Sequence, residues 1–223
     1  IVDFDNNTPP ELKVQGVQHL PIYDPAWLED TLSRDPSVPT AGKRAWILYP
    51  LNYVNHFLLK HTKDLTTNDT IIFDSLSMHN DMMLKMIKEC EAKEIKNNSY
   101  HLWAVYAEWL TLLHTIIKGL PCNFVMICHE DEVRDNETNR LLSLRWLMDG
   151  KKFAPRITSF YNNVFRQVRM TDAPTVGAVK PDETAKVEYY WQIQPDPKFQ
   201  ARTTIKTKKR YVKPDYKSFG ITG

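Results

Sequence analysis

The sequence predicts an α/β fold: a three-layer core on a mostly parallel sheet, with an antiparallel edge toward the C-terminus. Three observations carry this. Apolar runs of strand length alternate with helical patterns through the first half of the chain. Later strand-like runs follow one another with turns between them, as hairpins do. Three of the early apolar runs end on polar side chains, as strands do where they leave a sheet.

The central strand is the run Thr70-Ile71-Ile72-Phe73-Asp74-Ser75-Leu76-Ser77, in which a carboxylate and a hydroxyl follow the apolar residues. Its apolar part reads as fully buried. Asp74 or Ser75 is placed to cap a helix beginning at Leu76. Ile1 to Phe4 is a second buried strand ending on Asp5, followed by the loop Asn6 to Pro10, and Val17 to Ile22 is a third. Asp24-Pro25 then opens a helix through Trp27, Leu28 and Leu32, which stops near Asp35-Pro36. Ser37 to Lys43, with prolines and a glycine, is a loop. Leu51 to Lys63 is apolar at Leu51, Val54, Phe57, Leu58 and His61, which is helical spacing.

Beyond the central strand, Met78 to Lys96 is a helix whose Met82, Met83, Met86, Ile87 and Cys90 read as core filler. Lys93 to Tyr100 is a polar turn. His101 to Lys118 is an amphipathic helix with an apolar face of Leu102, Val105, Trp109, Leu112, Leu113 and Ile116, closed by Gly119 and Pro121. Asn123 to Cys128 is a buried strand ending on His129 and Glu130, Arg134 to Arg140 a charged loop, and Leu141 to Leu147 a strand. Phe153 to Tyr161 is a short helix. Val164 to Arg169, Tyr189 to Ile193 and Arg202 to Lys206 are strands, the first two separated by the loop Asp172 to Glu183. In domain terms, residues 1–206 form one core and residues 207–223 a basic tail.

The composition is that of an ordinary globular chain of 223 residues, with 42% hydrophobic and 25% charged residues and a mean hydropathy of −0.46. No apolar run approaches the ~20 residues that a bilayer span needs, so no membrane partner is expected. Cys90, Cys122 and Cys128 form no CxxC pair and fit reduced core thiols in a cytoplasmic protein. A net charge of +2 does not by itself point to nucleic acid, so a basic footprint has to be local. It is local: Arg202, Lys206, Lys208, Lys209, Arg210, Lys213 and Lys217 gather near the C-terminus against Asp215. The chain starts on Ile1-Val2-Asp3-Phe4-Asp5, without Met, and this reads as mid-strand; a preceding segment is therefore expected.

In a parallel sheet the three polar strand ends line up along one edge. Asp3 or Asp5 then stands as a base that orients water, Asp74 as a metal holder with Ser75 beside it, and His129 as a group that feels a phosphate. Each also has an ordinary reading as a cap or loop residue. Lys208-Lys209-Arg210 after a strand sets cationic heads where they meet phosphate across a subunit boundary; a solvated tail, or one that grips a nucleic-acid backbone, is the plainer reading.

With these elements in order, the chain resembles the RecA-like P-loop ATPases, most closely the compact phage-type members linked to single-strand annealing and recombination. Ile1-Val2-Asp3-Phe4-Asp5 resembles the strand that ends on the catalytic carboxylate, which maps onto Asp5. Ile71-Ile72-Phe73-Asp74-Ser75 resembles Walker B, which gives Asp74 and Ser75 the Mg²⁺ and ATP contacts. Phe124 to Asp131 is similar to the next strand with its polar sensor at His129, and Ile205 to Arg210 resembles a Lys-x-Arg finger at Lys208 and Arg210 that reaches a neighbour's γ-phosphate. The resemblance implies a ring or filament of identical subunits acting on single-stranded DNA. Its DNA-facing loops fall at Lys93, Lys96 and Tyr100, and at Asp131 to Arg140 with Arg134 and Arg140.

The P-loop itself is not in this sequence. Gly42-Lys43 and Gly150-Lys151 lack the upstream glycine and the following Ser or Thr. Family order puts that loop before Ile1, where the native protein is expected to carry it; this stretch by itself is expected to hydrolyse ATP poorly or not at all. An alternative is a RecA-fold DNA-binding or assembly module without nucleotide chemistry. A metal hydrolase using Asp3, Asp5, Asp74, His129 and Glu130 is a third reading, though the spacing such sites use is missing.

Overall fold

The structure, a computed structural model, describes residues 1–9, 11–12, 17–37, 49–149, 154–171, 187–204 and 208–214. The chain divides into two compact units, one of Ile1–Asp131 with Trp146–Ala154 and one of Glu132–Arg145 with Pro155–Gly223.

The first unit is built on a parallel sheet. Strands β1 (Val2–Asp3), β2 (Leu20–Pro21), β3 (Thr70–Asp74) and β4 (Asn123–Met126) lie in the order β2-β1-β3-β4, and every pair is parallel. Register sets the carboxylates side by side, because Asp3 is opposite Asp74 and Phe73 opposite Met126. Helices α1 (Pro25–Arg34), α2 (Leu51–Lys60), α3 (Leu76–Cys90), α4 (Ala92–Asn97) and α5 (His101–Lys118) intervene between strands, as parallel connections require. This is the α/β class that the alternating pattern implies.

Local chemistry starts and stops these helices where the sequence says. Asp24 caps α1, its Oδ1 accepting from the backbone N–H of Ala26 at 2.9 Å and of Trp27 at 3.3 Å, with Pro25 at the first helical position. Ser75 caps α3, its Oγ accepting from Met78 N–H at 3.3 Å. Val2, Phe4, Ile71 and Phe73 of the strands are buried with Leu76, Met83, Ile87, Leu110 and Leu113 of the helices. Each such side chain contributes about 1.5–3 kcal/mol of burial. Met83 and Met86 are buried and fill core, while Met82 is only partly buried.

Several expectations need correction. Lys93 to Tyr100 is not a plain turn, since α3 ends at Cys90 and α4 occupies Ala92–Asn97. Cys90 is exposed rather than a core thiol. On α5 the buried stripe is Tyr106, Leu110, Leu113, His114 and Ile117, and Leu112 is 55% exposed. The helix is apolar nearly all round, so periodicity leaves two overlapping stripes. Packing selects the one carrying Tyr106, whose hydroxyl donates to the Asp149 carbonyl at 3.0 Å.

In the second unit, β7 (Arg166–Thr171), β8 (Val187–Gln192) and β9 (Tyr211–Val212) form an antiparallel sheet in the order β7-β8-β9, and the buried residues of this unit include Ile193, Phe199 and Val212. A 3₁₀ helix covers Ala154–Phe160. The antiparallel strands thus form a sheet of their own. Arg202 makes an isolated bridge to Val164 where a longer strand was expected, and Tyr211–Val212 is a strand that its two-residue length hid. Strands β5 (Glu130–Arg134) and β6 (Leu141–Trp146) pair with each other, so the charged loop shrinks to the turn after Arg134. There Asp135 Oδ1 accepts from Glu137 N, Thr138 N and Thr138 Oγ1, an Asx turn that Asn139 completes at φ 54°. The loops Ser37 to Lys43 and Asp172 to Glu183, both Gly-Lys pairs, Lys206, Asp215 and Lys217 lie wholly or mainly outside the described residues. Among the described residues, no helix is long and apolar enough to cross a membrane.

Candidate active site

The parallel strands deliver four side chains to one place at their carboxyl ends. Asp5, just past β1, has a side chain only 6% exposed. Its Oδ2 accepts from the Ser75 hydroxyl at 2.9 Å and lies 3.0 Å from His129 Nε2, and its Oδ1 accepts from Ser75 N–H at 3.3 Å. Residues distant in sequence meet here because β1 and β3 are neighbours and the chain beyond β4 is tied to the start of α3. Leu76 N–H donates to the Ile127 carbonyl at 2.8 Å, and His129 N–H donates to Ser77 Oγ at 3.1 Å. The His129 ring is half-exposed, so it forms the wet side of the group.

Asp3 and Asp5 have different parts. Asp3 is fully buried and holds a turn together: its oxygens accept from the N–H of Asp5 at 3.1 Å, Asn6 at 2.9 Å and Thr8 at 3.4 Å, and His19 Nε2 stands 2.9 Å away. Burial works to raise its pKa, but the hydrogen bonds from His19, Thr8 and Asp5 outweigh it and hold the carboxyl below the usual range. Asp5 is the carboxylate aimed at Ser75 and His129. Asp74 lies beside them, half-buried, and no described residue donates to its carboxylate. Burial, then the charges of Asp5 and Asp3, push its pKa up, with His129 pulling the other way. Burial and two neighbouring carboxylates thus act together against one imidazole.

Cys128 is the neighbouring thiol, 3.3 Å from Ser77 Oγ. Burial pushes it up to about 11, so it is protonated at neutral pH and is no ready nucleophile.

The remaining candidates lie elsewhere. Lys93 and Lys96 are exposed on α4, and Tyr100, at the start of α5, is 79% exposed. Arg134 and Arg140 flank the Asp135 turn, where Arg134 pairs with Glu132 at 2.6 Å and donates to the Asn139 carbonyl at 3.0 Å. Lys208 is exposed, and Arg210 forms an ion pair with Asp196 while its guanidinium lies 5.5 Å from the Tyr211 ring centroid. Glu130 begins β5. The hydrolase set of Asp3, Asp5, Asp74, His129 and Glu130 is not gathered at metal-ligand spacing; among the described residues that spacing occurs at Asp35, His56 and His61.

Sequence reasoning missed His19 and Ser77 as parts of this site. His19 precedes a two-residue strand and pairs with a carboxylate 16 positions away, which no local pattern announces. Ser77 was visible as the hydroxyl closing the central run, but its bond to the His129 backbone depends on which strand neighbours β3.

No known family model, curated protein or solved structure matches this chain.

Proposed function

We propose that this chain is the core of a RecA-like, DNA-dependent ATPase of phage recombination or replication, acting on single-stranded DNA in the host cytoplasm as a ring or filament of identical subunits. The observation that carries the reading is the meeting of Asp5, Asp74, Ser75 and His129 at the carboxyl ends of adjoining parallel strands, where α/β sheets bind ligands. In this reading Asp5 orients the attacking water, and His129, hydrogen-bonded to it, couples that carboxylate to the state of a bound phosphate. Lys208 and Arg210 serve a neighbouring subunit, Arg210 exchanging Asp196 for phosphate. Lys93, Lys96, Tyr100, Arg134 and Arg140 contact DNA.

Mg²⁺ fits the donor set. Asp74 would hold the ion, its carboxylate being crowded by two like charges that a cation relieves, while the Ser75 hydroxyl is buried and already bonded to Asp5 Oδ2 and Met78 N–H. When bound, the ion neutralises charge on the ATP phosphates.

The test is ATP turnover by the native gene product with and without single-stranded DNA. Asp5→Asn is expected to lower turnover by about 10²–10⁴-fold. Arg210→Ala is expected to abolish turnover while fluorescent-ATP binding persists; unchanged turnover sinks the finger assignment. A second reading, a RecA-fold module without nucleotide chemistry, is favoured by the lack of any GxxxxGK[ST] within these 223 residues. It expects DNA binding that survives Asp74→Ala and depends on Lys208, Lys209 and Arg210.

A further inference from the structure

The ends of two helices bring together three side chains that the proposed ATPase chemistry does not use. Asp35 is the C-terminal cap of α1, His56 lies within α2, and His61 is the C-terminal cap of α2. Asp35 Oδ2 is 2.9 Å from His61 Nε2 and 3.9 Å from His56 Nε2, and all three ligand atoms lie within 4.8 Å of one another. His56 and His61 are too far apart in sequence to share one helical face. They meet at the end of α2, where His61 caps the helix at a φ of −99° and its ring centroid lies 5.5 Å from that of His56.

We propose that Asp35, His56 and His61 bind a divalent transition-metal ion of the Zn²⁺ class through Asp35 Oδ2 and the two Nε2 atoms. Two imidazoles and one carboxylate are the donor set that Zn²⁺ prefers over Mg²⁺ or Ca²⁺. With bonds of about 2.0–2.1 Å, tetrahedral ligand atoms sit roughly 3.3 Å apart, a value that the two separations from Asp35 Oδ2 bracket. The carboxylate is already oriented. Ser37 donates to Asp35 Oδ1 from both its N–H at 2.8 Å and its hydroxyl at 2.6 Å, which leaves Oδ2 for the ion. The Ser37 hydroxyl is also 2.8 Å from His56 Nε2, a contact that the metal replaces. Side-chain exposures of 12% for Asp35, 10% for His56 and 39% for His61 describe a sheltered site open on one side, where water takes the fourth position. The ion clips the ends of α1 and α2 together across 26 residues of chain.

The test is titration of the full chain with Co²⁺, followed by visible absorption and by competition with Zn²⁺. One equivalent of Co²⁺ giving the intense d–d bands of a four-coordinate site is expected, displaced by one equivalent of Zn²⁺. His61→Gln and Asp35→Asn are each expected to weaken Co²⁺ binding at least tenfold and to remove the rise in Tm that Zn²⁺ gives the unaltered chain. His101→Gln, a surface histidine outside the cluster, is expected to leave both unchanged. Should circular dichroism show that His61→Gln does not fold, the isosteric Asp35→Asn gives the same reading. The proposal is overturned by the absence of four-coordinate bands, by thiolate charge-transfer bands that assign the ion to cysteine, or by equal affinity in the folded variants.

Discussion

Asp5 and Ser75, 70 positions apart, are joined by a 2.9 Å hydrogen bond from the Ser75 hydroxyl to Asp5 Oδ2. The same hydroxyl oxygen accepts from Met78 N–H, so one side chain both starts α3 and fixes the carboxylate after β1. Ser75→Ala is therefore expected to destabilise the fold by about 1–3 kcal/mol, as a lost cap plus a lost hydrogen bond to a charged group. A double-mutant cycle with Asp5→Asn, measured by urea unfolding, is expected to show a coupling of roughly 0.5–2 kcal/mol. Additive effects would mean that the two residues do not act on each other.

Asp74 is expected to cost stability. Burial first, then Asp5 and Asp3, raise its pKa, so the folded chain holds the Asp74 proton more tightly than the unfolded chain does. Stability then declines as pH rises from the ordinary carboxylate value through the raised folded one. Asp74→Asn is expected to stabilise the protein at pH 7, seen as a higher Tm. The gain is expected to vanish in acid below the ordinary carboxylate pKa, where Asp74 is protonated in both states. A lower Tm at pH 7 would show that the carboxylate has a partner worth more than its burial.

Asp3 has the opposite sign. Its lowered pKa means that it adds stability above the unfolded carboxylate value, and this is lost as pH falls through the folded one. Asp3→Ala leaves the N–H groups of Asp5, Asn6 and Thr8 without their acceptor, and is expected to cost about 3–5 kcal/mol by urea unfolding. Asp3→Asn, which keeps an acceptor oxygen, is expected to cost less. Equal costs for the two would place the effect in the charge and its His19 partner rather than in the turn.

The sheet and the site were legible to different degrees. The run Ile71 to Asp74 announced a central strand by its apolar content, and Asp24-Pro25 announced a helix start by capping chemistry, because both signals act over a few neighbouring residues. Asp5, Asp74 and His129 were legible as a group because parallel strands present their carboxyl ends together. That Asp3 serves the turn and Asp5 the site was not, since it depends on where the chain goes after β1. The Asp35–His56–His61 cluster was hidden for a similar reason: His61 falls at helical spacing and reads as one more position on the buried face of α2. Its ring instead turns to Asp35 at the helix end, and only the packing of α1 against the chain beyond α2 supplies that partner.

His79 offers a pH test of the core. It is buried on α3 with its ring centroid 5.5 Å from that of Phe4, edge-on at 89°, and 5.2 Å from that of Phe73. Burial is the main cause of a pKa lowered to about 4; Asn80 acts against the shift and the charge of His114 adds to it. Between pH 6.5 and about 4 the unfolded chain takes up a proton that the folded chain refuses, so stability falls as pH drops across this window. At about 1.36 kcal/mol per tenfold change in proton affinity, the loss attributable to His79 is on the order of 3 kcal/mol. His79→Leu keeps the apolar contacts with Phe4 and Phe73 but cannot take the proton. Its unfolding free energy, measured in urea at intervals from pH 7 to pH 4, is expected to fall less than that of the unaltered chain by about that amount. Parallel pH profiles for the two proteins would mean that His79 can be protonated without unfolding, and that water reaches it between the two phenylalanines.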